Sequence, residues 1–142
     1  MHILILNGPN LNMLGKREPH IYGRQSMDEI FSELVSRFPQ HQLRLQQSNH
    51  EGALIDMLQE ADAVFDAIVF NPGAYAHTSL ALADAVRSIS CPVIEVHISN
   101  IHARGEVRSH SYIAAAAEGV ISGFGAESYA LGIRAAETLK KD

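Results

Sequence analysis

Short apolar runs alternate along the chain with longer segments in which apolar residues recur at helical spacing. The short runs are rich in β-branched residues and end at Gly, Pro or Asn, which is typical of strands buried on both faces. The predicted strands are His2 to Leu6, Leu43 to Gln47, Ala67 to Phe70, Val93 to Val96, and Val120 to Ile121.

The segments between these runs predict helices, because apolar side chains three and four residues apart form one stripe on a helix. Three stripes begin at Met27, Leu54 and Leu80, and a fourth includes Leu131 within an alanine-rich segment from Ala126 to Lys140. Helix starts are also indicated by polar residues with cap spacing. The predicted caps are Ser26 with Glu29, Ser48 with Glu51, and Thr78 or Ser79.

Five strands that alternate with helices predict an α/β fold with a parallel sheet covered on both faces. For 142 residues we expect a single catalytic domain, 1–142, as a flavodoxin-like three-layer sandwich with strand order 2-1-3-4-5. In such sheets a ligand binds beyond the carboxyl ends of the strands. Residues that carry chemistry should therefore follow strands 1, 3 and 4.

The charge, the length of the apolar runs and the cysteine count exclude or disfavour several classes of protein. The net charge of −5 argues against nucleic acid as a partner, and no apolar run has the length of a membrane span. No basic stretch precedes the first apolar run, so a signal peptide is not expected. Cys91 is the only cysteine, which excludes an internal disulfide and favours the reducing cytoplasm.

The segment after strand 1 runs from about Asn7 to Gln25 and is long for a simple connection. It contains Asn10, Arg17 and Tyr22 among several glycines. A solvated loop would have this composition too, but the length and charge favour a lid that closes over a bound anion.

The segments after strands 3 and 4 contain the other candidates. Glu95 and His97 are two apart on a strand, so both side chains point to one face, and the carboxylate would fix the tautomer of the imidazole. A buried ion pair that only stabilises the sheet would have the same spacing. Asn71 and His77 bracket the loop after strand 3, where they could equally be structural.

Arg104 and Arg108 are four apart, which on a helical turn would place both guanidinium groups on one side. An exposed basic face is the alternative interpretation of this pair. Metal ligation by His77, Glu95 and His97 has no HxxxH or HExxH spacing to support it, so we expect no metal. A GxSxG motif is absent and lysine is scarce, which leaves an acid–base cleft that binds a carboxylate.

Five segments of the chain have distinctive sequences: GPNLNMLGKREPHIYG, QSNHEGALID, NPGAYAHTS, PVIEVHISN and the Arg104 to Arg108 segment. Through these blocks the chain resembles the type II 3-dehydroquinate dehydratases over nearly its whole length. The resemblance implies conversion of 3-dehydroquinate to 3-dehydroshikimate through an enolate, in the shikimate or quinate pathway, without cofactor or metal. It also implies a flavodoxin-like fold and a homododecamer built as a tetramer of trimers.

The resemblance further assigns the catalytic roles. Tyr22 would be the base that removes a proton from carbon 2, with Arg17 favouring its phenolate, since a tyrosine ordinarily ionises near pH 10. Asn10 would hold a water that stabilises the enolate. His97, oriented by Glu95, would protonate the leaving hydroxyl.

Substrate contacts are implied in the same way. The amides of Ile98 and Ser99 would bind the substrate carboxylate, and His77 and Arg108 would bind ring hydroxyls. Two further residues are assigned by position: Asn71 would assist His97, and Asp84 would reach the site of the adjacent subunit.

Two rival interpretations predict no catalysis. A flavodoxin-like or receiver-like binding module would require a phosphate-binding first loop with stacking aromatics, or acidic residues at the end of strand 1, where this chain has Asn7 and Gly8. An inactive relative of the dehydratases would be expected to lack Tyr22 or His97, and both are present.

Overall fold

Five parallel strands form one sheet in the computed structural model, which describes residues 1–139. The strands are β1 (His2–Asn7), β2 (Gln42–Gln47), β3 (Ala67–Asn71), β4 (Val93–His97) and β5 (Gly119–Ser122). Their order along the sheet is β2-β1-β3-β4-β5, so the predicted fold class and strand order are confirmed. The direction in which successive strands are added to the sheet reverses between β1 and β3, where such folds bind their ligands.

Helices cover both faces of the sheet, which explains why every residue of β3 and β4 is buried. The alternation of side chains along β1 separates the two halves of the core. The helices are α1 (Pro19–Tyr22), α2 (Met27–Arg37), α3 (Glu51–Ala61), α4 (Leu80–Ser88), α5 (Glu106–Ser109) and α6 (Glu127–Thr138). Ile3 and Ile5 of β1 pack with α2 and α6, whereas Leu4 and Leu6 pack with α3 and α4.

The last predicted helix is present as α6, and the part of the prediction that extends to Lys140 lies outside the described residues. None of the helices between residues 1 and 139 is long and apolar enough to cross a membrane.

Two of the predicted helix caps are confirmed. Ser26 accepts the amide of Glu29, whose carboxylate in turn accepts from the Ser26 amide, and this reciprocal pair begins α2. Ser79, rather than Thr78, caps α4 by accepting the amide of Leu82 at 2.9 Å. Both helices therefore begin where a hydroxyl satisfies an amide that the helix itself leaves free.

The prediction of a capping box from Ser48 to Glu51 is wrong. The residue that precedes α3 is His50, and its side chain makes no cap hydrogen bond. The Ser48 hydroxyl accepts the nearer amide of His50 at 3.0 Å, so it closes a turn before the helix instead of capping it.

Gly132 allows α6 to lie directly on the sheet. A Cβ atom at this position would be 2.8 Å from a Val69 methyl and 3.0 Å from a Val96 methyl, which is inside van der Waals contact. The close approach brings the buried side of α6, including Tyr129, against the ends of β1 and β3.

Cys91 precedes β4 at the end of the sheet opposite the candidate site. Its thiol is buried and donates to the carbonyl of Phe65 at 3.3 Å. Burial raises the pKa of this thiol to about 12, and the negative charges of Asp62 and Asp66 act in the same direction. Cys91 is therefore an inert packing residue at neutral pH.

Candidate active site

A cleft opens at the carboxyl edge of the sheet, above the ends of β1, β3 and β4. It encloses about 470 Å³ of space, part of which is open to solvent. The loops after the same three strands form its walls, as the sequence predicts. Nine of the eleven predicted site residues line this cleft: Asn10, Arg17, Tyr22, Asn71, His77, His97, Ile98, Ser99 and Arg108.

Glu95 and His97 form a buried pair on β4. Glu95 is completely inaccessible and His97 is 5% exposed, and Glu95 Oε1 lies 3.4 Å from His97 Nε2. The Ser111 hydroxyl donates to the same Oε1 atom. Glu95 thus lies behind His97, outside the cleft lining, where a carboxylate can orient the imidazole and stabilise its protonated form.

Tyr22 lies between two arginines. The guanidinium carbon of Arg17 is 4.9 Å from the ring centre of Tyr22, and that of Arg104 is 5.2 Å from it. Two cations at this distance attract the negative charge of a phenolate. Tyr22 is also the last residue of α1 in the long segment after β1, so closure of that segment would carry it over the cleft.

Arg104 also lines the cleft, although the sequence assigned it no role in the site. Its guanidinium donates to the Ser99 hydroxyl at 3.1 Å, which ties it to the segment after β4. Arg104 and Arg108 do not share the helical turn on which their spacing would align them, because Gly105, at a φ of 100°, separates a 3₁₀ turn from α5. Both arginines nevertheless line the cleft.

His77 presents one ring nitrogen to the cleft. Its Nδ1 donates to the carbonyl of His110 at 2.7 Å, which leaves Nε2 as an acceptor in the neutral ring. Burial lowers the pKa of His77 below its ordinary value of 6.5; the charges of His97 and Arg108 act in the same direction, and the bond to His110 opposes them. A neutral His77 can accept a hydrogen bond from a hydroxyl group.

Asn71 ends β3, and two hydrogen bonds hold its side chain. Its Oδ1 accepts the amide of Gly73 at 3.1 Å, and its Nδ2 donates to the Tyr129 hydroxyl at 2.9 Å. The same hydroxyl donates to Asn7 Oδ1 at 2.8 Å, where Asn7 lies opposite Asn71 in the sheet. The second hydrogen of Asn71 Nδ2 remains available to the cleft. No local pattern could have revealed the role of Tyr129, which lies 122 residues from Asn7.

Polar groups at the rim of the cleft come from Asn10, Ile98 and Ser99. Asn10 has a left-handed backbone with φ 69°, and its amide donates to Asn49 Oδ1 at 3.0 Å. This fixed turn sets the direction of the Asn10 side chain. Ile98 and Ser99 follow β4 directly, so the sheet holds their backbone groups at the cleft.

Asp84 does not line the cleft of its own chain. It lies on α4 with 79% of its side chain exposed and contacts Arg87 at 3.4 Å. Its outward position leaves it free to contact another molecule. Among residues 1–139, no group of three or more histidine, cysteine, aspartate or glutamate side chains has an arrangement that could hold a metal ion.

The parallel sheet with an acid–base cleft at its carboxyl edge defines an α/β enzyme of flavodoxin-like architecture. The model of the class II dehydroquinase family matches residues 1–137, and the chain belongs to that family.

Individual relatives agree with this assignment. The 3-dehydroquinate dehydratase of Brucella canis is 50% identical over 142 residues, which is 99% of this chain and 90% of that protein. The 3-dehydroquinate dehydratase 1 of Agrobacterium fabrum is 50% identical and covers 96% of both chains. The crystal structure of the type II dehydroquinase from Butyrivibrio crossotus superposes with a TM-score of 0.93 at 42% identity, covering 96% of this chain and 97% of that one.

Proposed function

We propose that this protein removes water from 3-dehydroquinate to give 3-dehydroshikimate, as a hydro-lyase of the class II dehydroquinase family. The observation that carries the proposal is that two groups with suitable neighbours line the same cleft. Tyr22, beside Arg17 and Arg104, would act as the base, and His97, next to Glu95, would act as the acid.

The proposed reaction has two proton transfers. The Tyr22 phenolate takes a proton from carbon 2 of the substrate, and the electron pair moves onto the carbonyl to form an enolate. A water held by Asn10 donates to the enolate oxygen. The enolate then expels the hydroxyl from carbon 1, which leaves as water with a proton from His97. Proton exchange with solvent returns Tyr22 and His97 to their starting states.

The remaining cleft residues would hold the substrate in position. The Ile98 and Ser99 amides and the Arg104 guanidinium supply donors for its carboxylate. His77 Nε2 and Arg108 would bind the ring hydroxyls, and the free hydrogen of Asn71 Nδ2 would contact the hydroxyl that His97 protonates.

Turnover of the proposed substrate provides the first test. Chelator-treated protein is mixed with 3-dehydroquinate, with and without borohydride pretreatment, and the ultraviolet absorbance of the conjugated enone product is followed. We expect full activity in both samples and none in Tyr22→Phe. No turnover by the folded, fully assembled chain would favour an inactive relative or a binding module of the same fold.

We also propose that the chain assembles as a homododecamer, a tetramer of trimers, in which Asp84 of one subunit completes the cleft of the next. The exposed position of Asp84 outside its own cleft supports this arrangement, as does Leu80, which lies one turn earlier on α4 and is 61% exposed. The unpaired thiol of Cys91 supports a reducing cytoplasmic location.

Mixing two variants tests the shared cleft. Twelve chains of 15.5 kDa give a mass of about 186 kDa by sedimentation. Asp84→Asn and Tyr22→Phe should each be impaired alone, whereas refolding them together should restore part of the activity in clefts that combine the two intact residues. Mixed assemblies without any recovery would contradict the proposal that Asp84 completes the cleft of a neighbouring subunit.

A further inference from the structure

A three-residue segment, His110 to Tyr112, forms hydrogen bonds with His77 and with Glu95, the residue next to His97. The His110 carbonyl accepts His77 Nδ1 at 2.7 Å, and the Ser111 hydroxyl donates to Glu95 Oε1 behind His97. The Tyr112 amide donates to the Ala76 carbonyl at 2.8 Å, which fixes the segment to the loop after β3. This one segment thereby positions the side chains of both His77 and Glu95.

The direction of the hydrogen bond from Ser111 is fixed by a third partner. Ser111 Oγ accepts the amide of Ala114 at 3.2 Å, so its own hydrogen is directed to Glu95 Oε1. This is the same carboxylate oxygen that faces His97 Nε2 at 3.4 Å. Within residues 1–139 Glu95 Oε2 has no partner, and Ser111 supplies the one hydrogen bond that the buried carboxylate receives.

We propose that Ser111 is a positioning residue, which orients Glu95 against His97 and sets how readily His97 releases its proton to the leaving group. The inference rests on the proposed dehydratase function. Ser111 does not line the cleft and transfers no proton itself. It acts through the carboxylate, as groups behind a reactive imidazole commonly do.

The physical effect follows from the charge on Glu95. A donated hydrogen bond stabilises the buried carboxylate and withdraws charge from the oxygen that faces the imidazole. Without that bond, the carboxylate would draw the proton of His97 more strongly, since the imidazolium would be the nearest group able to neutralise it. His97 would then be a weaker acid.

Other charged groups also face this pair. His77 stacks on His97 with ring centres 6.2 Å apart, and the rest lie on the segments that surround the cleft. The Ser111 hydroxyl bonds none of them, so we expect a change in pH dependence to report on Glu95 and His97. The titratable or charged groups that share the cleft with His97 are Arg17, Tyr22, His77, Arg104 and Arg108.

Ser111→Ala tests the proposal. We expect kcat to fall by about 10- to 100-fold, the range for loss of a hydrogen bond to a charged group, with little change in KM. The alkaline limb of the pH dependence of kcat should move to higher pH, because His97 holds its proton more tightly. Ser111→Thr keeps the hydroxyl and should restore both values.

A matched control and a second variant complete the series. Ser88→Ala removes a hydroxyl that only binds the Ala85 carbonyl within α4, and it should leave kcat and the pH profile unchanged. If Ser111→Ala does not fold, Ser111→Cys keeps the shape with a weaker donor and should give an intermediate loss.

Combining variants separates positioning from general destabilisation. In a Glu95→Gln background, which lacks the charge, Ser111→Ala should have almost no further effect on kcat. Wild-type kcat and pH profile in Ser111→Ala, or an equal loss in both backgrounds, would overturn the inference. Absence of turnover in the wild-type assembly would instead overturn the proposed function.

Discussion

Tyr22 has two cationic neighbours. Its ring lies beside Arg17 on one segment and Arg104 on another, so two parts of the chain converge on this side chain and would stabilise its phenolate. Arg104 is further held by Ser99, which would reduce the reorganisation that formation of the phenolate requires.

Removing the phenol should stop the reaction while leaving the substrate contacts in place. We expect Tyr22→Phe to abolish measurable turnover, since no other base occupies its position, while equilibrium binding of a substrate analogue changes little. Calorimetric titration beside the turnover assay measures both. Near-normal kcat in Tyr22→Phe would mean that another group is the base.

The two arginines should contribute separately to the same step. Arg17→Ala and Arg104→Ala should each lower kcat by about 10- to 1,000-fold, the range over which one neighbouring charge changes a proton equilibrium. Arg134→Ala, on the exposed side of α6, is the control. A loss confined to KM in Arg104→Ala would make Arg104 a substrate-binding residue only.

Tyr129 connects the ends of β1 and β3 through one hydroxyl. Burial raises its pKa, so it remains a neutral donor to Asn7 and acceptor from Asn71. Tyr129→Phe leaves both amides without that partner, and we expect a loss of about 1–3 kcal/mol in the free energy of unfolding. Urea denaturation measures this loss of stability. An unchanged midpoint would show that water replaces the hydroxyl.

At the scale of elements, α6 determines how closely the sheet is covered. Gly132→Ala should lower the free energy of unfolding by about 1–3 kcal/mol, since the new methyl would overlap Val69 and Val96. Gly52→Ala, with open space around its Cβ on α3, should raise it by about 0.4–1 kcal/mol. Urea midpoints with a constant m-value test the pair. If Gly132→Ala raised the midpoint as much as Gly52→Ala, the helix propensity of alanine would outweigh the packing cost at Gly132.

The elements themselves could be predicted because their signals are local. The apolar run from Ala67 to Phe70 and the stripe starting at Met27 each specify one element without reference to the rest of the chain. The start of α3 was missed for a physical reason. A serine three residues before a glutamate has cap spacing, but the Ser48 hydroxyl bound the closer amide of His50.

At the scale of the whole molecule, an ion pair and a hydrogen bond connect the last helix to the first half of the chain. Arg37 on α2 binds Glu127 through two hydrogen bonds of 2.8 and 2.9 Å, and His41 binds Glu137 at 2.8 Å. The hydrogen bond from Arg37 lowers the pKa of Glu127, and that from His41 lowers the pKa of Glu137.

These contacts predict how stability depends on pH. The pKa of Glu127 is lower in the folded protein than its ordinary value of 4.5. Its ionised carboxylate therefore stabilises the fold at pH values above 4.5, and this stabilisation is lost as the pH falls through the pKa of the folded state. Glu127→Gln should therefore lower Tm slightly at pH 7, and the difference from wild type should vanish in acid. Glu60→Gln, exposed on α3, is the control. A difference that persists at pH 3 would not arise from the ion pair.

The sequence predicted the place of the site because parallel topology brings the ends of β1, β3 and β4 to one edge. It could not predict the contacts that hold the site residues. Ser111 and Glu95 lie on different segments, as do Asn7 and Tyr129, and nothing in either local pattern specifies the partner. Such pairs depend on how the whole sheet and its helices pack.

Because Cys91 is buried, the chain can be labelled with a single fluorescent dye at an introduced cysteine. The thiol is buried and its pKa is raised to about 12, so it should not react with maleimide dyes at pH 7. A cysteine introduced at His20, exposed on α1, would then take up one dye beside Tyr22 without any change to the native residue. The emission of that dye would show in real time whether the segment opens and closes over the cleft.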